Sequence, residues 1–116
     1  MQRIVYLERE SVIADVRRPD FVHDWVEYPM TRPEQVVERL QGATIAIINK
    51  VPLPAAAVDA LPDLKMVAVA ATGTNIVDLE ACRKRGIVVS NIRGYAEHTV
   101  PEHVMALLLA LSRNLI

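Results

Sequence analysis

The clearest alternation of apolar and polar stretches runs through the middle of the chain, from Lys65 to Gly86. Met66 to Ala71 is an unbroken run of small and β-branched apolar residues, which predicts a strand buried on both faces of a parallel sheet. Thr72 to Asn75 interrupts it with small polar residues, and Ile76 to Arg85 then reads as a short helix. Asn75 is the expected N-cap and Asp78 sits in the first turn. Arg83, Lys84 and Arg85 crowd the last turn, and Gly86 is the stop. A loop at the carboxyl end of a strand is where open α/β sheets hold their ligands. Its glycine permits close backbone approach, and amides near a helix start favour an anion such as a carboxylate. The alternative is a tight turn with no ligand.

The remaining pattern repeats the same theme. Ile4 to Leu7 reads as a short strand, and Ser11 to Arg18 as a weakly patterned helix closed by Pro19. Trp25 to Tyr28 alternates like an edge strand. Thr31-Arg32-Pro33-Glu34 announces a helix in which Thr31 caps, Glu34 reaches back and the proline sits in the first turn. Val36, Val37 and Leu40 form its buried face, and Gly42 ends it. Ala43 to Ile48 is a central strand, Pro54 to Leu61 an alanine-rich helix, and Ile87 to Ser90 a last strand. Strands and helices in strict alternation imply a parallel sheet with helices on both faces and right-handed crossovers.

The end of the chain differs. Asn91 to His98 reads as a loop, Thr99 to Glu102 repeats the capping pattern, and a helix is expected to about Asn114. Its run VMALLLAL is apolar around the whole circumference, so packing one face on a sheet does not bury it. Cover from a second copy or from a further domain is expected, and the chain is read as stopping short of that structure at Ile116.

Composition narrows the function classes. A 52% apolar content supports a core, and a net charge of −1 gives no basic surplus for nucleic acid or a membrane surface. The single cysteine, Cys82, rules out an internal disulfide framework and a multi-cysteine zinc site, in keeping with a reducing cytoplasm. Charges within the first ten residues argue against a signal peptide, and the longest apolar run of eight residues is too short to span a bilayer. A soluble, cytoplasmic protein is expected. His98 and His103 are five apart and do not share a helix face, so no metal is expected, and His23 reads as solvated. Basic neighbours could lower the Cys82 thiol pKa, although a helical cysteine beside a buried face is ordinarily core. Lys50 and Arg93 have solvated surface positions as their default.

Three stretches taken together carry a family resemblance: KVPL, then LKMVAVAATGTNIVDLEACRKRGIVVSN, then GYAEHTVPEHVMALLLALSRNL. They resemble the N-terminal half of the D-isomer-specific 2-hydroxyacid dehydrogenases, in the glycerate dehydrogenase or hydroxypyruvate reductase branch. The resemblance runs without a gap from about Ala43 to the end. It implies a flavodoxin-like three-layer sandwich on a five-stranded parallel sheet over residues 1–98. Residues 99–116 would be the first helix of a Rossmann domain that is otherwise missing. It further implies an enzyme that uses NAD or NADP to interconvert a 2-keto acid and a D-2-hydroxy acid. A homodimer or self-association through the Thr99–Leu115 helix is expected from that helix's apolar surface. Substrate-binding residues implied by the resemblance are Lys50, Ala71, Thr72 and Gly73, with backbone amides of the last three on the carboxylate. Tyr95 and Val100 match positions near the nicotinamide.

Departures from the family pattern are also present. No G-x-G-x-x-G occurs, since glycines stand only at 42, 73, 86 and 94. The family's catalytic arginine, acidic residue and histidine match nothing in these 116 residues, so no catalytic residue is expected within the chain. Alone it should neither turn over nor hold the cofactor tightly. Arg93 and Pro101 replace the more usual proline and alanine, which blurs the branch. The competing reading is a stand-alone flavodoxin-like ligand-binding or oligomerisation module without catalysis. Asn49 and Lys50, where a receiver would need an aspartate, and Glu8-Arg9-Glu10, where a flavin binder would need a hydroxyl-rich loop, count against two versions of it.

Overall fold

The computed structural model describes residues 1–115. Five parallel strands form one sheet: β1 (Gln2–Tyr6), β2 (His23–Glu27), β3 (Ile45–Ile48), β4 (Met66–Val69) and β5 (Val88–Ser90), in the order β2-β1-β3-β4-β5. Helices α1 (Val36–Leu40), α2 (Ala55–Asp59) and α3 (Leu79–Lys84) fill the crossovers from β2 onward, and α4 (Thr99–Ser112) follows β5. This is the α/β, flavodoxin-type sheet that the alternation and the resemblance imply.

Strand registers put Val5 beside Ala46, Ala46 beside Val67, and Ile48 beside Val69, so these residues share one face of the sheet. All are buried, and they pack with Val36 and Leu40 of α1, Ala57 and Val58 of α2 and Cys82 of α3 in a single core cluster. The three internal helices therefore cover the same face, in place of the helices on both faces that the alternation predicts, because no helix forms in the crossover after β1. On the other face Ile45, Ile47, Met66 and Ala68 are only half-buried. Beneath the irregular segment from Val16 to Phe21 they line an apolar groove of about 260 Å³.

That segment is where the alternation misleads. No helix forms over Ser11 to Arg18; a single 3₁₀ turn, Arg9–Ser11, gives way to irregular chain. The Arg9 guanidinium donates to the carbonyls of Val12 at 2.7 Å and Ala14 at 3.2 Å, occupying acceptors that a helix would use. Val12, Ile13 and Val16 are β-branched and the stretch runs into Pro19, so little propensity opposes the change.

Three expected caps move as well. Thr31 does not cap the helix that follows. Its hydroxyl donates to the Leu7 carbonyl at 2.6 Å and accepts from Arg39 at 2.7 Å, while Gln35 Oε1 accepts the Arg32 amide at 3.1 Å at the start of the 3₁₀ turn Pro33–Gln35 that leads into α1. Asn75 is not the cap of α3. Leu53 and Val77 form a parallel bridge, with the Asp78 amide on the Leu53 carbonyl at 3.1 Å, which keeps the chain extended until Asp78. Asp78 is the N-cap, its carboxylate accepting the Ala81 amide at 2.9 Å. At α4 the cap position falls on His98 and Thr99 is already helical, so the Thr99–Glu102 box does not form. Gly86 does close α3, at a φ of +68° that side-chain-bearing residues rarely adopt.

Moving the α3 cap has a measurable consequence. Asp78→Ala should lower unfolding stability by about 1 kcal/mol in denaturant titrations, and Asn75→Ala should change it by only a few tenths. The reverse ranking would return the helix start to Asn75.

Candidate active site

The carboxyl ends of β1, β3 and β4 open into a cleft of about 920 Å³. Lys50 enters it from the turn after β3, Ala71 and Gly73 from the loop after β4, and Tyr95 from the loop before α4. Thr72 lies between Ala71 and Gly73 and does not line the cleft, and Val100 sits exposed in the first turn of α4, also outside it. Sequence reasoning gave no weight to several further lining residues, among them Ser11 and Ile92, and read Asn75, also in the lining, as a helix cap at the end of the candidate loop. Ser11 was hidden by the helix expected there. Among the described residues the cleft is lined by no histidine, aspartate or glutamate; Lys50 and Tyr95 are its titratable groups.

Two turns stand side by side at the rim, because β3 and β4 pair in register and the Ala70 amide donates to the Ile48 carbonyl at 2.7 Å. Their backbones are satisfied in opposite ways. In the turn after β3, Glu8 fills the amides with a carboxylate from the end of β1. It accepts from Asn49 at 2.7 Å, Lys50 at 2.9 Å and Val51 at 3.1 Å, and it is 1% exposed. In the loop after β4 the carbonyls are tied back instead. Ala71 accepts the Ile92 amide at 3.0 Å, and Thr72 accepts the Asn91 side chain at 2.7 Å. Among the described residues the amides of Ala71, Thr72 and Gly73 have no hydrogen-bond partner. This loop is not at a helix start, since α3 begins only at Leu79, so the expectation of amides near a helix start does not apply here. Its donors are loop amides alone.

Gly73 serves through its lack of a side chain, its φ lying outside the left-handed range. A Cβ at this position would stand 3.1 Å from Asn75 Oδ1. Lys50 is exposed, and among the described residues it forms no salt bridge. One polar pair completes this side of the cleft: Asn49 Nδ2 donates to Ser11 Oγ at 2.9 Å, and that hydroxyl donates to the Glu8 carbonyl at 2.6 Å. A small anion with a hydroxyl or keto oxygen matches this set of unpartnered amides, one cation and short polar side chains.

Cys82 is remote from the cleft and fully buried. Burial pushes its thiol pKa up, Asp78 adds to that, and Arg85 opposes it more weakly. The basic neighbours thus do not lower it, because desolvation of a thiolate outweighs a single guanidinium. A thiol raised this way is poorer in thiolate at every pH than free cysteine. Folded protein should therefore react slowly with an aromatic disulfide reagent at mildly alkaline pH, and one equivalent should react promptly once guanidinium is added. Prompt stoichiometric reaction in the native state would contradict the assignment.

Comparison with known proteins bears on the same region. Residues 7–113 match the family model for the catalytic domain of D-isomer specific 2-hydroxyacid dehydrogenases. The chain is 54% identical to a glycerate dehydrogenase of Methylorubrum extorquens over 99% of its own length and 37% of the relative's. It is 43% identical to a putative 2-hydroxyacid dehydrogenase of Haemophilus influenzae over 97% of its length and 36% of the relative's. Among solved structures it superposes on an acyclic imino acid reductase in complex with NADPH and D-Arg with a TM-score of 0.75 at 22% identity, covering 98% of this chain and 38% of that one. It also superposes on the apo D-lactate dehydrogenase of Escherichia coli with a TM-score of 0.72 at 19% identity, covering 99% and 38%. The chain thus spans little more than a third of the length of the relatives it matches. It belongs to the D-isomer specific 2-hydroxyacid dehydrogenase family.

Proposed function

We propose that this family member is the substrate-binding part of an NAD(P)-dependent oxidoreductase that interconverts a 2-keto acid and a D-2-hydroxy acid. The observation that carries the reading is the row of unpartnered amides at Ala71, Thr72 and Gly73 on the rim of the cleft. Backbone donors already oriented and lacking an internal acceptor are a preorganised receptor for a carboxylate. Lys50 adds a point charge from the neighbouring turn. Tyr95 lines the cleft from the loop before α4, and we assign it to the side toward the nicotinamide.

Hydride transfer belongs to the cofactor, which supplies it from the nicotinamide when bound beside the cleft. The described residues do not form a dinucleotide site. Helices α1, α2 and α3 have five or six residues, and no closely spaced glycines precede any helix. The cleft also lacks an imidazole or carboxylic acid to exchange the proton on the substrate oxygen. Alone, then, the chain should bind substrate weakly and reduce nothing. No described helix is long and apolar enough to cross a membrane. The single cysteine suits a reducing compartment, and on that ground we assign the protein to the cytoplasm.

A second reading concerns assembly. No residue of α4 is buried, and Val104, Met105, Leu107, Leu108, Leu109 and Leu111 are all exposed large apolar side chains. An apolar surface of this extent favours cover, and we assign that cover to a second copy. Sedimentation equilibrium on the 116-residue chain should give a concentration-dependent dimer, with Leu108→Glu shifting it to monomer; a wild-type monomer at every concentration would exclude it.

The ligand reading is tested by titrating the ¹⁵N-labelled chain with D-glycerate or hydroxypyruvate. The amides of Ala71, Thr72 and Gly73 should move most, and Lys50→Met should weaken binding by roughly three- to tenfold, the effect of one charge-assisted contact. Shifts confined to other regions would refute the assignment.

A further inference from the structure

Glu8 stands outside the lining of the cleft, and the ligand reading makes no use of it. Among the described residues it is nonetheless the one charged side chain that is buried. Its residue is 1% exposed, and among the described residues its carboxylate has no salt-bridge partner. Its compensation is a set of main-chain donors: Oε2 takes the amides of Asn49 at 2.7 Å and Lys50 at 2.9 Å, and the Val51 amide is shared between Oε1 at 3.1 Å and Oε2 at 3.2 Å. A buried carboxylate is tolerated only with such replacement of its hydration, so removing either side of the arrangement is costly. The segment that holds Glu8 is itself fixed. Leu7 continues the β1–β3 pairing through its amide on the Ile47 carbonyl at 3.0 Å, and the Glu8 carbonyl accepts the Ser11 hydroxyl.

The geometry has two effects on the cleft. It sets the direction in which the chain leaves β3, and hence where Lys50 and Asn49 stand relative to the loop after β4. It also fills the donors of one turn with an internal anion, leaving the other turn as the place where an external carboxylate binds. We propose that Glu8 is a positioning residue: its buried carboxylate, helped by the Ser11–Asn49 hydrogen bond, presents Lys50 to the substrate loop. The inference rests on the ligand reading above.

Glu8→Gln keeps the size of the side chain but turns one acceptor oxygen into a donor, so either Val51 or the Asn49–Lys50 pair faces another N–H. The test titrates D-glycerate into four labelled 116-residue chains: wild type, Glu8→Gln, Lys50→Met and the double variant. Glu8→Gln should move the Asn49, Lys50 and Val51 amide resonances and raise the dissociation constant about fivefold or more. In the Lys50→Met background the same change should cost less than about twofold, because the effect passes through Lys50. A Glu8→Gln chain that binds as tightly as wild type overturns the proposal. So do effects that multiply independently, which a general loss of stability would produce. If wild type itself does not shift at Ala71–Gly73, the ligand reading fails and takes this inference with it. Should Glu8→Gln not fold, Ser11→Ala serves instead: it loosens the same turn, and a smaller loss of affinity that vanishes in the Lys50→Met background supports the proposal, whereas unchanged affinity overturns it.

Discussion

A carboxylate taken out of water must find donors within hydrogen-bond reach, and at the upper rim of this sheet Glu8 finds them in three consecutive amides. Much of the local architecture follows from that requirement. The end of β1 has to stay against β3, the turn after β3 has to keep its amides converging, and Asn49 and Lys50 have to project away from the filled pocket. The turn after β4 lies next door in register, yet among the described residues no side chain caps the amides of Ala71, Thr72 and Gly73. One turn is thus structural and its neighbour is available to a ligand. The difference comes from a single side chain that sits 41 residues away in sequence from the nearest amide it fixes.

Under the proposed function the cleft would be one wall of a reaction site. It has donors for a carboxylate, a cation and a few short polar groups, and among the described residues its lining holds no imidazole or carboxylic acid and no closely spaced glycines. The uncovered apolar surface of α4 and the half-buried second face of the sheet fit the same picture of a part shaped to work against other protein. The length comparison agrees, since the relatives are between two and three times as long.

Much of this was legible in the residues. Period and composition located β3 and β4 because buried parallel strands write themselves as continuous apolar runs, and Gly86 marked the end of α3 through a backbone conformation that favours glycine. The loop after β4 and Lys50 were also within reach, the latter through the family resemblance. Two of the misses come from long-range hydrogen bonding that no local window contains: Thr31 is drawn away from its helix by the Leu7 carbonyl, and the Leu53–Val77 bridge delays α3 to Asp78. The third is local, Arg9 capturing the carbonyls of Val12 and Ala14 that a weak helix would use. Glu8 was read only as part of a charged stretch that is the wrong chemistry for a flavin loop. Its partners lie after another strand, so its burial could not be seen from its neighbours.

The most direct test of the account is amide hydrogen exchange at the two turns, with and without saturating D-glycerate. The amides of Asn49, Lys50 and Val51 should be protected in both states, held by Glu8. Those of Ala71, Thr72 and Gly73 should exchange freely without ligand and become protected with it. Protection of the second set before ligand is added, or no change at saturation, would contradict the claim that the loop after β4 is a preformed carboxylate receptor.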